Sequence, residues 1–174
     1  MALDYTTVQE KLTAKFGEEV KDFTNDYGML AFEIASDKNT ETIQFLRDEL
    51  GFNFLTTLFT IHYPDNDLER QFAIVYQMHN WVDNVRVRFK IFINGENPEA
   101  ESVTGLFTCA NWMERESYDF YGIIFNGHPD LKRILNMDEM VSFPMRKEFP
   151  LEDGNRTDKD DRYFGRIPQN TNLN

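Results

Sequence analysis

Nine consecutive residues, Val85 to Ile93, alternate without a slip: Val85, Val87, Phe89, Ile91 and Ile93 fall on one side, Arg86, Arg88, Lys90 and Phe92 on the other. This period of two predicts a β-strand with one face in a core and the other toward water. Such a sheet needs helices over its apolar face. Arg86, Arg88 and Lys90 could also form an anion-binding stripe, but three like charges with no accompanying motif are ordinary on a solvated face.

The flanking sequence supplies the other layers. Thr7 with Glu10 has the spacing of a capping box, Val8, Leu12 and Phe16 recur every four residues, and Gly17 can end the helix they predict. Val20–Thr24 and Met29–Ala35 flank the polar Asn25-Asp26-Tyr27-Gly28 and predict a hairpin. Ser36 or Asp37 could cap a second helix with Ile43, Leu46 and Leu50 on one face, ended by Gly51. Phe54–Tyr63 and Gln71–His79, separated by Pro64-Asp65-Asn66-Asp67, are further strand candidates. The expected fold class is α+β: a two-layer unit with two helices on a mixed, about five-stranded sheet, followed by an extended C-terminal arm.

Charge divides the chain. The 174 residues carry a net charge of −12, with 18 basic and 30 acidic side chains. From Arg146 to Arg166 six bases balance six acids, so the whole excess lies elsewhere. Beyond Met137 both periodicities disappear. We therefore place a body at residues 1–135 and an arm at 136–174 whose apolar anchors, Phe143, Phe149, Leu151, Tyr163 and Phe164, are spaced among paired charges, as in a segment that orders on a partner. The acidic excess argues against nucleic acid and anionic lipid, which recruit Lys and Arg. One cysteine, Cys109, allows neither an internal disulfide nor a self-contained iron–sulfur cluster. No apolar run is long enough to span a bilayer, and the opening Met-Ala-Leu-Asp lacks the marks of a signal peptide, so no direct membrane insertion and a cytoplasmic location are expected.

Residues 111–135 are the densest in motif-like features. Asn111 with Glu114 suggests a capped helix start, Arg115 and Asp119 are spaced to pair, Glu116 lies near Phe120, and Gly122 would stop the helix. Ile123-Ile124-Phe125 reads as a short strand, and Asn126-Gly127-His128-Pro129-Asp130 as a turn. The run from Glu114 through Leu135, Glu-Arg-Glu-Ser-Tyr-Asp-Phe-Tyr-Gly-Ile-Ile-Phe-Asn-Gly-His-Pro-Asp-Leu-Lys-Arg-Ile-Leu, resembles the signature of the hydrophilic-arm C subunit of proton-pumping NADH:quinone oxidoreductase, respiratory complex I. Pro144-Met145-Arg146-Lys147-Glu148-Phe149-Pro150-Leu151 is similar to the family's second block, with Glu148 where an aspartate is usual and Ser142 where a glycine usually precedes the proline.

The resemblance implies a two-layer body and signature or interface roles for Glu114, Arg115, Glu116, Tyr118, Asp119, Gly122, His128, Pro129, Asp130, Arg133, Pro144, Arg146, Lys147, Phe149 and Pro150. In that frame Asp130 would start a short helix and favour its first-turn amides, leaving Lys132 and Arg133 to face a partner or solvent. It implies no cofactor in this chain: FMN, iron–sulfur clusters and quinone would sit in other subunits. The partners implied are the quinone-site large subunit and the cluster-bearing subunits, at the cytoplasmic face of a bacterial inner membrane. The equivalent subunit of a membrane-bound hydrogenase is an alternative. A different class, an autonomous metal-dependent hydrolase using Glu116, Asp119 and His128, matches no established ligand spacing. His62 and His79, in predicted strands, are expected to be hydrogen-bonded structural residues.

Overall fold

The structure is a computed structural model and describes residues 3–149. Pro150, Leu151, Tyr163 and Phe164 lie outside the described residues. The chain begins with helix α1 (Tyr5–Phe16), which buries Val8, Leu12 and Phe16. Its cap is Asp4, not Thr7: Asp4 has extended backbone and accepts from the Thr7 amide at 2.8 Å, whereas Thr7 is already inside the first turn.

A hairpin follows, β1 (Val20–Asp26) and β2 (Met29–Ile34), with Asp26 opposite Met29. The loop is shorter than the four polar residues suggested. Tyr27 and Gly28 alone form it, with φ of 56° and 70°, the double left-handed geometry whose twist matches paired strands. The Tyr5 hydroxyl donates to the Gly28 carbonyl at 2.6 Å, tying α1 to the hairpin tip.

Helix α2 (Asn39–Leu50) buries Ile43, Leu46 and Leu50, and Gly51 ends it at φ 71°. Neither Ser36 nor Asp37 caps it, because both belong to a preceding 3-10 turn that puts them too early to reach its free amides. Asn39 donates instead to the Tyr76 hydroxyl (3.1 Å) and the Glu101 carbonyl (3.0 Å), fixing α2 to the sheet and to the next segment.

Strands β3 (Phe54–His62), β4 (Phe72–Asn80) and β5 (Val85–Ile93) form an antiparallel meander. β2 then pairs with β5 in parallel, Leu30 opposite Val87, giving a mixed five-stranded sheet in the order β1-β2-β5-β4-β3. The alternation of β5 is realised throughout: its odd-numbered residues are buried, while Arg86 and Arg88 are exposed. Lys90 is occupied by Glu33 at 3.0 Å, and Glu33 also takes Arg70 at 2.8 Å, so the basic stripe is partly neutralised. On the core face Phe89 stacks between Phe32 and Tyr76, at 5.4 and 4.8 Å between ring centroids. Each fully buried ring or branched side chain there contributes about 1.5–3 kcal/mol.

The remaining elements are β6 (Glu99–Glu101), helix α3 (Ala110–Tyr121) and β7 (Ile124–Asn126). β6 and β7 form a small parallel pair, and α3 packs along β3, the edge of the main sheet. Asn111 is already helical; Cys109 occupies the cap position and makes no side-chain capping bond.

Candidate functional site

Helix α3 carries the signature and buries an unusual set of ionisable side chains: Glu114 and Asp119 are fully buried, and Arg115 is nearly so. Buried charge is tolerated only when its hydrogen bonds are met. Asp119 meets this from a single stretch of chain. Its Oδ1 accepts from Arg133 Nη1 at 2.7 Å and Asn136 Nδ2 at 3.0 Å, and its Oδ2 from the amides of Ile134, Leu135 and Asn136 at 2.7–3.1 Å. Burial pushes the carboxyl up, but these donors outweigh it and hold it well below the usual carboxylate range. The expected pairing with Arg115 does not form. Arg115 turns to the carbonyls of Lys132 and Arg133, at 3.1 and 3.0 Å, and lies over the Trp112 ring.

Arg133 therefore does not face solvent or a partner. Its side chain is 8% exposed and donates to the carboxylate and carbonyl of Asp119 and to the carbonyls of Met140 and Ser142. Residues 131–135 form no helix, so Asp130 has no helix to cap; it pairs with Lys132 at 2.7 Å on the surface.

The end of α3 explains why the second block matters. A helix leaves its last four carbonyls without partners. Here Tyr118 O accepts from the Gly122 amide, Asp119 O from Arg133, Phe120 O from the Met145 amide at 3.2 Å, and Tyr121 O from Arg146 Nε at 2.7 Å. Gly122 has φ 76°, and a Cβ there would lie 2.6 Å from Phe143, so both the turn and the approach of the returning chain require glycine. Phe143 packs edge-on to Tyr118 and between the guanidinium groups of Arg133 and Arg146. The Lys147 amide donates to His62 Nδ1 at 3.0 Å, anchoring the block to the end of β3. Pro144 lies in the turn closed by the bond from Arg146 N to Phe143 O. Ser142 is not at positive φ, so serine is unstrained where glycine was expected. Residues 136–149, assigned to the arm from the sequence, thus bond back onto α3 and β3.

Glu114 plays a different part. It accepts from the Ser102 hydroxyl and the Val103 amide, both at 2.7 Å, pinning the loop before α3. Burial pushes its carboxyl up to about 7 against the lowering effect of those two donors. His128 accepts from the Asp130 amide at Nδ1, which leaves its Nε2–H to donate to Asn111 O, 3.2 Å away. Pro129 is in the same exposed turn. Glu116 is exposed. Hence Asp119 and His128 hold separate loops while Glu116 is exposed, and among the described residues no group of three His, Cys, Asp or Glu could hold a metal ion. Asn136 and Ser102, central to these contacts, carry no sequence signal beyond an ordinary polar side chain; Phe143, expected as an anchor on a partner, packs instead on Tyr118, Arg133 and Arg146 of its own chain.

The family model described as respiratory-chain NADH dehydrogenase, 30 Kd subunit, matches residues 32–155, which contain the whole of this helix end and its caps. The chain belongs to that family, the C subunits of complex I. The NADH-quinone oxidoreductase C subunit from Roseiflexus sp. (strain RS-1) is 36% identical over 172 residues, 97% of this chain and 98% of that protein. The second such C subunit of Rhizobium etli (strain CIAT 652) is 36% identical over 154 residues, 87% and 80% of the two chains. Among solved structures, the trypsin-resistant fragment (1–134) of Nqo5 superposes with a TM-score of 0.62 at 32% identity, covering 72% of this chain and 98% of the fragment. A chain of the membrane-bound sulfane sulfur reductase, an archaeal respiratory membrane complex, shares the fold at a TM-score of 0.71 and 19% identity, over 84% and 85% of the chains. This complex I protein has no helix among the described residues long and apolar enough to cross a membrane.

Proposed function

We propose that this member of the complex I family is a non-catalytic, cofactor-free structural component of the peripheral arm of NADH:quinone oxidoreductase, docking beside the cluster-bearing subunits and strapping the quinone-site large subunit with the part of the arm that follows Phe149, since residues 136–149 are held on the body. The FMN, iron–sulfur clusters and quinone belong to those partners, and the complex sits at the cytoplasmic face of a bacterial inner membrane. The observation that carries this reading is how the signature spends its charges. Glu114, Arg115, Asp119 and Arg133 bind the protein's own loops, and the segment they hold displays Leu135, Met137, Val141, Met145 and Phe149, all 45–94% exposed. A rigidly held loop with an apolar exterior suits docking, because little entropy is lost on binding. Electron transfer between buried centres falls steeply with distance, so a subunit that fixes its neighbours' positions governs turnover without touching a ligand.

Near-complete coverage of the Roseiflexus protein at 36% identity supports complex I over a related membrane-bound hydrogenase. The Nqo5 structure is of a trypsin-resistant fragment, which supports a body that stands apart from the residues after it. The test is purification of the native complex through a tag on this chain, followed by native mass determination. Recovery with an FMN- and cluster-containing assembly is expected; recovery of the chain alone, or with hydrogenase subunits, would defeat the reading.

A further inference from the structure

No helix among the described residues covers the outer face of the main sheet: α1 and α2 pack on the Phe89 side, and α3 runs along the β3 edge. Strand register places Arg86 beside His79, and Arg88 between Gln77 and Ala31, on this open face. Lys90 is paired with Glu33, but the side chains of Arg86 and Arg88 are exposed and form no ion pair or hydrogen bond among the described residues. Asp26, at the hairpin tip, borders the same shallow depression as Arg88 without pairing to it. An aromatic cluster lies next to Arg86 through His79. Trp81 is 62% exposed, yet it is held: its ring lies 4.9 Å from that of His79 and edge-on to Phe54 at 5.5 Å, while His79 Nε2 bonds Asn84 across the turn. Val82, 87% exposed, extends the apolar surface.

We propose that this corner of the sheet, with Phe54, Trp81, Arg86 and Arg88, docks an acidic surface of another subunit, which buries the two rings and seats Asp or Glu carboxylates on the two guanidinium groups. This rests on the reading of the chain as a component of a larger complex. Tryptophan and arginine side by side are the residues that carry most binding energy in protein interfaces, and a ring already fixed by its neighbours loses little freedom on binding. Charge complementarity selects the occupant. In a chain of net charge −12, the strands turn Lys21, Arg86, Arg88 and Lys90 outward against Glu33 and Asp26, so the open face runs against the sign of the molecule. Two copies of so acidic a chain repel each other, as do the chain and an anionic bilayer, which leaves a different subunit. A guanidinium fork binds a carboxylate through two parallel hydrogen bonds, so Arg86 and Arg88 would fix the partner's orientation as well as hold it.

The experiment uses the full chain in its native complex. Val82→p-benzoylphenylalanine, beside Trp81, provides the photo-crosslink, and Arg86→Glu and Arg88→Glu are compared with Lys11→Glu on α1 for assembly. The expected result is an adduct on another subunit, within a surface that carries Asp or Glu. Incorporation of each arginine variant should fall by about tenfold, since like charges brought together disfavour docking, whereas Lys11→Glu should incorporate normally. Reversing the partner's acid nearest the adduct to lysine should restore incorporation of the arginine variant it faces. No adduct, an adduct on residues 150–174, on a second copy of this chain or on a surface without acids, or normal incorporation of both arginine variants would each overturn the proposal. So would binding of the free chain to phosphatidylglycerol vesicles that Arg88→Glu abolishes. A wild-type chain that copurifies with no complex overturns the parent reading instead, so the two failures are distinct.

Discussion

Arg133 donates to both the carboxylate and the backbone carbonyl of Asp119, at 2.7 and 2.9 Å, so one guanidinium neutralises a buried acid and closes the helix end that carries it. Removing the acid leaves that cation buried and frees three amides at once. Asp119→Ala should therefore destabilise the chain by about 3–5 kcal/mol, while Asp65→Ala, in an exposed turn, should stay within about 0.5 kcal/mol. Urea denaturation of the two variants measures the difference, and equal midpoints would contradict it.

Gly122 should be harder to replace than Gly28. Both have positive φ, but a Cβ at Gly28 meets nothing within 4 Å, whereas at Gly122 it meets Phe143 at 2.6 Å. Gly28→Ala should cost about 1–2 kcal/mol of backbone strain. Gly122→Ala should cost more and increase amide exchange at Met145, whose bond to Phe120 depends on the same close approach.

Glu114 gives a pH signature. Its folded value of about 7 lies above the 4.5 of a free glutamate, so between these pH values the folded state binds more protons than the unfolded one. Its contribution to stability is therefore greatest below about pH 4.5 and falls as pH rises to about 7, by roughly 2–4 kcal/mol. His62, which burial shifts down, works oppositely: its contribution is present above about 6.5 and is lost as pH falls below that. The stability difference between Glu114→Gln and wild type, followed by thermal melting from pH 4 to 8, isolates the glutamate. A difference that does not grow in the variant's favour with pH would rule the assignment out.

Two truncations separate body from strap. A chain ending at Phe149 keeps every cap on α3 and should melt cooperatively like full length, yet fail to join the complex. A chain ending at Leu135 loses Asn136 and the donors of Met145 and Arg146, and should melt lower. Normal incorporation of the chain ending at Phe149 would remove the strap from the proposed function.

What the sequence revealed was what is local. The period of two in Val85–Ile93, the four-residue spacing in α1 and the glycine stops at Gly51 and Gly122 each depend on neighbouring residues, and each appears in the structure. What it hid depends on where the chain returns. Arg115 and Asp119 have suitable spacing for a surface pair, but the loop at 132–136 offers Asp119 five donors and Arg115 two carbonyls, and these prevail. The capping box at Thr7 failed similarly: the helix starts three residues earlier, where Asp4 in extended conformation accepts from the Thr7 amide, so Thr7 is already inside the first turn. Glu114 was visible as a motif residue, but nothing near it in sequence announced Ser102.

The parallel pairing of β2 with β5 also bears on synthesis. Leu30 cannot meet Val87 until all three later strands of the sheet have left the ribosome, and closing so long a loop adds an entropic cost that a hairpin does not incur. During translation the apolar edge of β2, Met29–Ile34, is thus without its neighbour in the sheet, while β3, β4 and β5 can zip together through short turns as they emerge. Pulse-labelled exchange during refolding should protect the amides of β4 and β5 before those of β2, so that the strands made first are the last to join the sheet.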